Sequence, residues 1–156
     1  MTSHPFAFRS LAGVEPGVTT LNDVQDRFGD PDSQSLTQSS NATGGDPGGD
    51  LIWHYPLLGV QVYIGRDDTE ALNPLVDEVH IIAPFDQPLR CGLHIGQSLE
   101  SARKVIQENF QVTDEYEDAI YFVPAIGYRL LASVENLNTN KVVKIELMRH
   151  HDGNAE

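Results

Sequence analysis

The sequence predicts an α+β fold in which one α-β-β-β unit occurs twice in tandem. Residues 53–64, WHYPLLGVQVYI, align without gaps on residues 121–132, YFVPAIGYRLLA, and the proline and the glycine of the two segments coincide. Upstream, residues 13–19, GVEPGVT, match residues 92–98, GLHIGQS, in two glycines and a final hydroxyl side chain. Self-similarity in a fixed order is typical of a duplicated structural unit. We therefore expect about six antiparallel strands in one sheet, with both helices packed on one face.

The two predicted units span residues 11–83 and 90–149 and together form one compact domain. Residues 33–50, SQSLTQSSNATGGDPGGD, separate the first helix from the first predicted strand. Their polar, glycine-rich composition predicts a flexible polar loop insertion, because such a segment can bury little apolar area. The second unit crosses the same gap with residues 111–118, whose acidic end, 114–118, we interpret as an exposed turn.

Each unit is expected to begin with an amphipathic helix. Near residues 20–28, Leu21, Val24 and Phe28 form an apolar stripe, and Thr19 or Thr20 precedes it as an N-cap. The sequence GDP that follows is a typical helix end. In the second unit a serine is the N-cap, and the apolar stripe consists of Leu99, Ala102, Ile106 and Phe110.

Three strands are predicted to follow each helix, at residues 51–55, 60–64 and 76–82, and at residues 119–123, 128–134 and 142–148. Opposed residues in an antiparallel hairpin project to the same side of the sheet. A four-residue connection therefore pairs Tyr55 with Val60 and Trp53 with Val62, and we expect this apolar set to face the helices. The same arithmetic in the second unit pairs Tyr121 with Leu130.

The opposite sheet face is the candidate binding surface. About half of its positions are apolar, and they are mixed with arginine, histidine and tyrosine, a composition typical of protein contact surfaces. We predict that its binding residues are His54, Tyr63, His80, Phe122 and Arg129. The alternative is that this face is covered by the chain itself, either by residues 6–11 or by a terminal tail.

Composition restricts the classes of partner. The formal net charge is −13, from 23 acidic and 10 basic side chains, which argues against nucleic acid and against an anionic membrane surface. A basic protein partner is compatible with this charge, and so is a homodimer. Cys91 is the single cysteine, so no internal disulfide can form. Together with an N-terminus unlike a signal peptide, this favours a cytoplasmic location.

Sequence motifs for catalysis are absent: the chain contains no GxxxxGK[ST], GxSxG or HExxH segment. We therefore predict no catalytic residue, no metal ligand and no cofactor. The leading interpretation is a non-catalytic protein-binding module that uses its open sheet face. One alternative is an intracellular immunity or inhibitor protein that acts against a basic toxin. Another is a small enzyme with a site on the sheet face where His54 and His80 meet.

Residues 16–31 follow the pattern PGVTTxxxVxxxFGxP, and the motifs WxY at 53–55 and VxxV at 76–79 come after it. In these motifs the chain resembles the repeat of the β-lactamase inhibitor protein family and of the small outer-membrane assembly lipoproteins. The resemblance implies helices packed against an antiparallel sheet and a function in binding other proteins.

Overall fold

A computed structural model of the protein describes residues 7–36, 51–65, 73–89, 91–134, 138 and 140–149. Within these ranges the chain forms two helices and eight strands, in the order α1 (Leu21–Phe28), β1 (Ser33–Leu36), β2 (Leu51–Tyr55), β3 (Val60–Ile64), β4 (Glu78–Ile82), α2 (Leu99–Asn109), β5 (Gln111–Glu115), β6 (Ala119–Val123), β7 (Tyr128–Val134) and β8 (Val142–Arg149). The strands form one antiparallel sheet in the order β1-β2-β3-β4-β8-β7-β6-β5. The predicted α+β class is therefore confirmed.

Both helices begin at a predicted N-cap. At α1, the Thr20 hydroxyl accepts a hydrogen bond from the Asp23 N–H at 3.2 Å, and the Asp23 carboxylate accepts one from the Thr20 N–H at 3.1 Å. At α2, the Ser98 hydroxyl accepts from the Ser101 N–H at 3.0 Å. Gly29 ends α1 with a φ of 84°, a left-handed conformation that favours glycine. In the described part of the chain, neither helix is long and apolar enough to cross a membrane.

Two strands correct the predicted count of six. β1 occupies the first four residues of the predicted loop insertion 33–50, and residues 37–50 lie outside the described part of the chain. β5 includes Asp114 and Glu115, which the sequence prediction placed in an acidic turn. Both are edge strands, each paired with one neighbour. An edge strand gains backbone hydrogen bonds without burying its side chains, so polar sequences such as these can form strands.

The core lies between the helices and one face of the sheet, which we call the helix face. Apolar side chains from α1, α2 and the sheet form one buried cluster there. Val62, Val79, Leu147 and Leu130 are cross-strand neighbours in this cluster and run from β3 to β7. Trp53 also lies on this side, half-buried against the cluster. Its placement on the helix face is as predicted, although its burial is only partial.

The first hairpin has the predicted register. Tyr55 pairs with Val60, and Trp53 pairs with Val62. The Gly59 N–H donates to the Tyr55 carbonyl at 2.9 Å and closes the four-residue connection. All three strands that follow α1 in the prediction are present, although β4 begins at Glu78, two residues later than predicted.

The second hairpin corrects the predicted faces of β6. Phe122 pairs with Leu130, and Tyr121 pairs with Leu131, whereas the sequence prediction paired Tyr121 with Leu130. Four residues lie between the strands of both hairpins, but the pairing of β6 with β7 is shifted by one residue relative to the pairing of β2 with β3. A one-residue slip moves every side chain of a strand to the opposite face. Phe122 consequently points to the helix face, and Tyr121 points away from it.

The start of the described chain packs on the helix side of the sheet. The Phe8 N–H donates to the Pro124 carbonyl at 3.2 Å, and the Phe8 ring lies 6.4 Å from the Phe122 ring, between centroids. Leu11 and Val14 are buried in the core. The alternative in which residues 6–11 cover the other sheet face is therefore wrong for residues 7–11, and residue 6 lies outside the described part.

Candidate functional site

The sheet face opposite the helices, which we call the open face, carries two cross-strand rows of side chains. The first row contains His54, Gln61, His80, Glu146, Leu131, Tyr121 and Asp114, in that order from β2 to β5. The second row contains Ile52, Tyr63, Glu78, Met148 and Arg129, from β2 to β7. Opposed residues share a face, so each row is a continuous strip on one surface.

A cluster of one histidine and two glutamates, which we call the Glu–His–Glu cluster, lies at the centre of the open face. His80 is 4% exposed, and its Nε2 lies 2.9 Å from Glu78 Oε1 and 3.3 Å from Glu146 Oε1. Glu78 and His80 are two residues apart on β4 and therefore project to the same side. Glu146 is the residue opposite His80 on β8. Lys144 Nζ lies 3.6 Å from the other oxygen of Glu146.

The ring of Tyr63 covers the His80 imidazole. The two ring centroids are 4.0 Å apart and the planes are inclined by 31°. Tyr63 also donates a hydrogen bond from its hydroxyl to Gln61 Oε1 at 3.3 Å. His80 Nδ1 is buried and has no hydrogen-bond partner among the described residues. The imidazole is therefore held by ring stacking on one side and by the two carboxylates at Nε2.

A second cluster surrounds Arg129. Its Nη2 lies 2.6 Å from Asp114 Oδ2, and its Cζ lies 4.2 Å from the centroid of the Tyr121 ring. Tyr116 approaches Tyr121 edge-on, with centroids 6.0 Å apart. A guanidinium above an aromatic ring gains cation–π attraction, and that attraction orients the side chain. Met148 separates this cluster from Glu78 in the second row.

Four of the five predicted binding residues lie on the open face. Tyr63 and His80 are in ring contact, and Arg129 lies in the second cluster. His54 and His80 do not contact each other. Gln61 on β3 lies between them in the first row, so their strands, β2 and β4, are about 9–10 Å apart. His54 Nε2 instead lies 2.8 Å from the hydroxyl of Ser35 on β1.

Phe122, the fifth predicted binding residue, lies in the core. It is 0% exposed, and its ring centroid is 4.7 Å from that of Phe110 at the end of α2. The cause is the register of the second hairpin, in which Phe122 opposes Leu130 on the helix face. Tyr121 takes the place on the open face that the sequence prediction gave to Phe122.

Sequence reasoning missed the role of three acidic residues. Glu78 has the same strand parity as His80, and the alternation E-V-H on β4 is a signal that could have identified it. Glu146 lies opposite His80 only because β4 pairs with β8, a strand that is distant in the sequence. Asp114 carries no local signal, since its strand was not predicted.

The Glu–His–Glu cluster offers three ligand atoms, an imidazole nitrogen and two carboxylate oxygens, that lie within 4.8 Å of one another. Elsewhere in the described chain, a cavity of about 550 Å³ lies between the end of α1 and residues 84–89. Its charged lining side chains are Arg27 and Asp86. The Glu–His–Glu cluster brings polar atoms together on paired strands, and it forms the candidate functional site together with the rest of the open face.

Comparisons of the chain with models of protein families, with curated proteins and with solved structures find no match.

Proposed function

We propose that this protein is a non-catalytic protein-binding module that docks a basic protein partner on the open face of its sheet. The observation that carries the proposal is that neither helix packs on the open face, where most side chains of the two rows are partly exposed. Both helices and the described N-terminal residues pack on the helix face. The open face retains a continuous surface of aromatic, apolar and charged side chains along its two rows.

The composition of the open face matches that of a contact surface. Tyrosine, arginine and methionine are enriched in protein interfaces, and tyrosine and arginine supply many of the residues that dominate binding energy. Here Tyr63, Tyr121 and Arg129 lie on one surface with Met148 and Leu131. Arg129 is held by Asp114 and Tyr121 before any partner arrives. A preorganised side chain loses less conformational entropy when a complex forms.

Charge favours a basic partner over a second copy. At a formal net charge of −13, two copies would repel each other, whereas a positively charged protein would be attracted and its association accelerated. An intracellular immunity or inhibitor protein acting against a basic toxin is the specific form of this proposal.

The architecture we propose is a duplication, with residues 11–83 and 90–149 as the two units. In support, each half of the described chain runs from one helix into four strands, and the strand order is symmetric about the β4–β8 pair. Sequence profiles built from related proteins would test this proposal, because two copies of one ancestral unit should keep similar residue preferences at matched positions. Profiles of the two halves that show no mutual similarity would contradict it.

Two arginines provide a matched test of the binding face. Arg129 pairs with Asp114 on the open face, and Arg103 pairs with Glu115 on the helix side. Both ion pairs measure 2.6 Å, and the two arginine side chains are 26% and 25% exposed. Arg129→Ala should weaken binding by at least about tenfold if Arg129 is an interface hot spot. Arg103→Ala should leave affinity within about twofold, because it removes an equivalent ion pair outside the interface.

A basic protein encoded by a neighbouring gene, where one exists, is the partner to purify and to titrate by calorimetry against the wild type and both variants. Light scattering on the protein alone measures self-association. Equal affinities of Arg129→Ala and Arg103→Ala would remove the open face as the site. The wild type could instead form a dimer that Arg129→Ala dissociates and Arg103→Ala leaves intact. That result would show that the open face binds a second copy of the chain and not a basic protein.

A further inference from the structure

We propose that Glu78, His80 and Glu146 form a binding site for one divalent transition-metal ion, with Zn²⁺ as the best match. No metal ligand was predicted from the sequence, because the three residues do not form a contiguous motif. They come together only where β4 pairs with β8 in the middle of the sheet. The proposal concerns the protein alone and does not depend on the binding of a partner.

The distances suit a small metal ion. Zinc binds histidine nitrogen and carboxylate oxygen at about 2.0–2.2 Å, so neighbouring ligand atoms of a tetrahedral site lie about 3.3–3.6 Å apart. His80 Nε2 is 2.9 Å from Glu78 Oε1 and 3.3 Å from Glu146 Oε1, and all three ligand atoms lie within 4.8 Å. Small side-chain rotations would bring them to the same ion. Three protein ligands leave a fourth position for water or another ligand.

The chemistry of the donor set selects the metal. Imidazole nitrogen binds zinc, copper and nickel well, whereas Ca²⁺ and Mg²⁺ require mostly oxygen ligands. Two carboxylates would neutralise the charge of a divalent ion. The ligands also stand on two central, hydrogen-bonded strands, where the backbone positions them rigidly. Tyr63 restricts rotation of the His80 ring by stacking on it.

Two features set an upper limit on affinity. Lys144 Nζ lies 3.6 Å from Glu146 Oε2 and competes electrostatically with a cation. His80 Nδ1 has no hydrogen-bond acceptor in the described part of the chain. A metal-bound histidine usually donates its second N–H to such an acceptor, and loss of the acceptor weakens metal binding by about 10–100-fold. We therefore expect micromolar rather than nanomolar Zn²⁺ affinity, with Mg²⁺ and Ca²⁺ much weaker.

Titration of the chelator-treated full chain with ZnCl₂, followed by calorimetry, tests the site. We expect one saturable ion per chain in the micromolar range, and a Tm that rises with Zn²⁺ concentration. Glu78→Gln and Glu146→Gln should each weaken Zn²⁺ binding by at least about tenfold, because an amide oxygen lacks the carboxylate charge. Both substitutions keep the size of the side chain and so preserve packing, whereas replacement of the buried His80 would disturb it.

His54→Ala is the matched control, since His54 lies in the same row of the open face but is bonded to Ser35. It should bind Zn²⁺ as the wild type does. His150→Ala/His151→Ala is a second control, because two adjacent histidines can bind metal adventitiously. If the micromolar binding disappears in either control, or persists unchanged in Glu78→Gln and Glu146→Gln, the proposed site is wrong. Absence of saturable Zn²⁺ binding by the wild type overturns it as well.

Discussion

The register of β6 makes a sharp prediction about two adjacent aromatic residues. Phe122 is completely buried, and its ring contacts those of Phe8 and Phe110, at centroid distances of 6.4 and 4.7 Å. Truncation of a buried aromatic side chain to alanine costs about 3–5 kcal/mol. We expect Phe122→Ala to lower the free energy of unfolding toward the upper part of that range, because it also removes two aromatic contacts.

Tyr121→Ala should cost much less. Tyr121 is half-buried on the open face, where it contacts Arg129 by a cation–π interaction and Tyr116 at its edge. A cation–π contact at an exposed site contributes about 0.5–1 kcal/mol, and an aromatic pair contributes about as much again. The expected cost is therefore about 1–2 kcal/mol. The difference between the two variants should be at least about 2 kcal/mol.

Urea unfolding followed by tryptophan fluorescence and by circular dichroism measures both costs, provided that the slope of the transition is the same in each protein. Phe122→Leu keeps most of the apolar volume and supplies a folded reference if Phe122→Ala does not fold. The alternative register, with Tyr121 in the core and Phe122 on the open face, predicts the reverse order of costs. A larger loss for Tyr121→Ala than for Phe122→Ala would therefore refute the assigned faces of β6.

Three further predictions concern the helix side of the sheet and the hairpin turns. Gly59 and Gly127 occupy matching turns at φ of 75° and 87°, but a Cβ at Gly59 would overlap backbone atoms, whereas a Cβ at Gly127 has nothing within 4 Å. In urea unfolding, Gly127→Ala should lower the free energy of unfolding by about 1 kcal/mol, and Gly59→Ala should lower it by at least about 2 kcal/mol more. Equal costs would contradict the close approach of backbone atoms to Gly59. Trp53→Ala should cost about 2–3 kcal/mol, below the range for complete burial, because its side chain is half-buried. Trp53 is the single tryptophan, so circular dichroism alone follows the unfolding of this variant. Burial, and secondarily the Asp30 charge, raise the pKa of Tyr55 to about 12 in the folded protein. The pKa of tyrosine in the unfolded chain is near 10. The folded protein therefore keeps the hydroxyl proton of Tyr55 to a higher pH than the unfolded chain does. Stability should therefore fall as the pH rises from about 10 to about 12, and it should fall less in Tyr55→Phe. At pH 7 this variant should cost about 1 kcal/mol, because it loses the hydrogen bond that the Tyr55 hydroxyl donates to the Gly29 carbonyl at 2.9 Å. Identical pH profiles of the two proteins would contradict this assignment.

Local signals in the sequence were sufficient for the helices and for the first hairpin. Thr20 and Ser98 cap the helices as predicted, because a cap depends on residues three positions apart. The bounds of β2, β3, β6 and β7 agree with the prediction, since runs of β-branched and aromatic residues between turns specify strands locally.

The candidate site was predictable only in part. Parity along a strand placed His54, Tyr63, His80 and Arg129 on one face, and the structure agrees. Phe122 was assigned to the wrong face, because matching prolines and glycines do not fix the pairing register of a hairpin. The Glu–His–Glu cluster was not predicted, because two of its members meet across a pairing of distant strands.

The sequence by itself determined the α+β class, the two helices with their caps, most of the strand bounds and the acidic character of the surface. These properties depend on side-chain type and on spacing over a few residues, so they can be predicted without knowledge of the fold. The tertiary structure decided the pairing of β4 with β8, the faces of β6 and the recruitment of β1 and β5 as edge strands. Each of these depends on which distant backbone groups form hydrogen bonds and which apolar side chains are buried together. Strand pairing over such distances is a collective property of the whole sheet, and no local pattern specifies it.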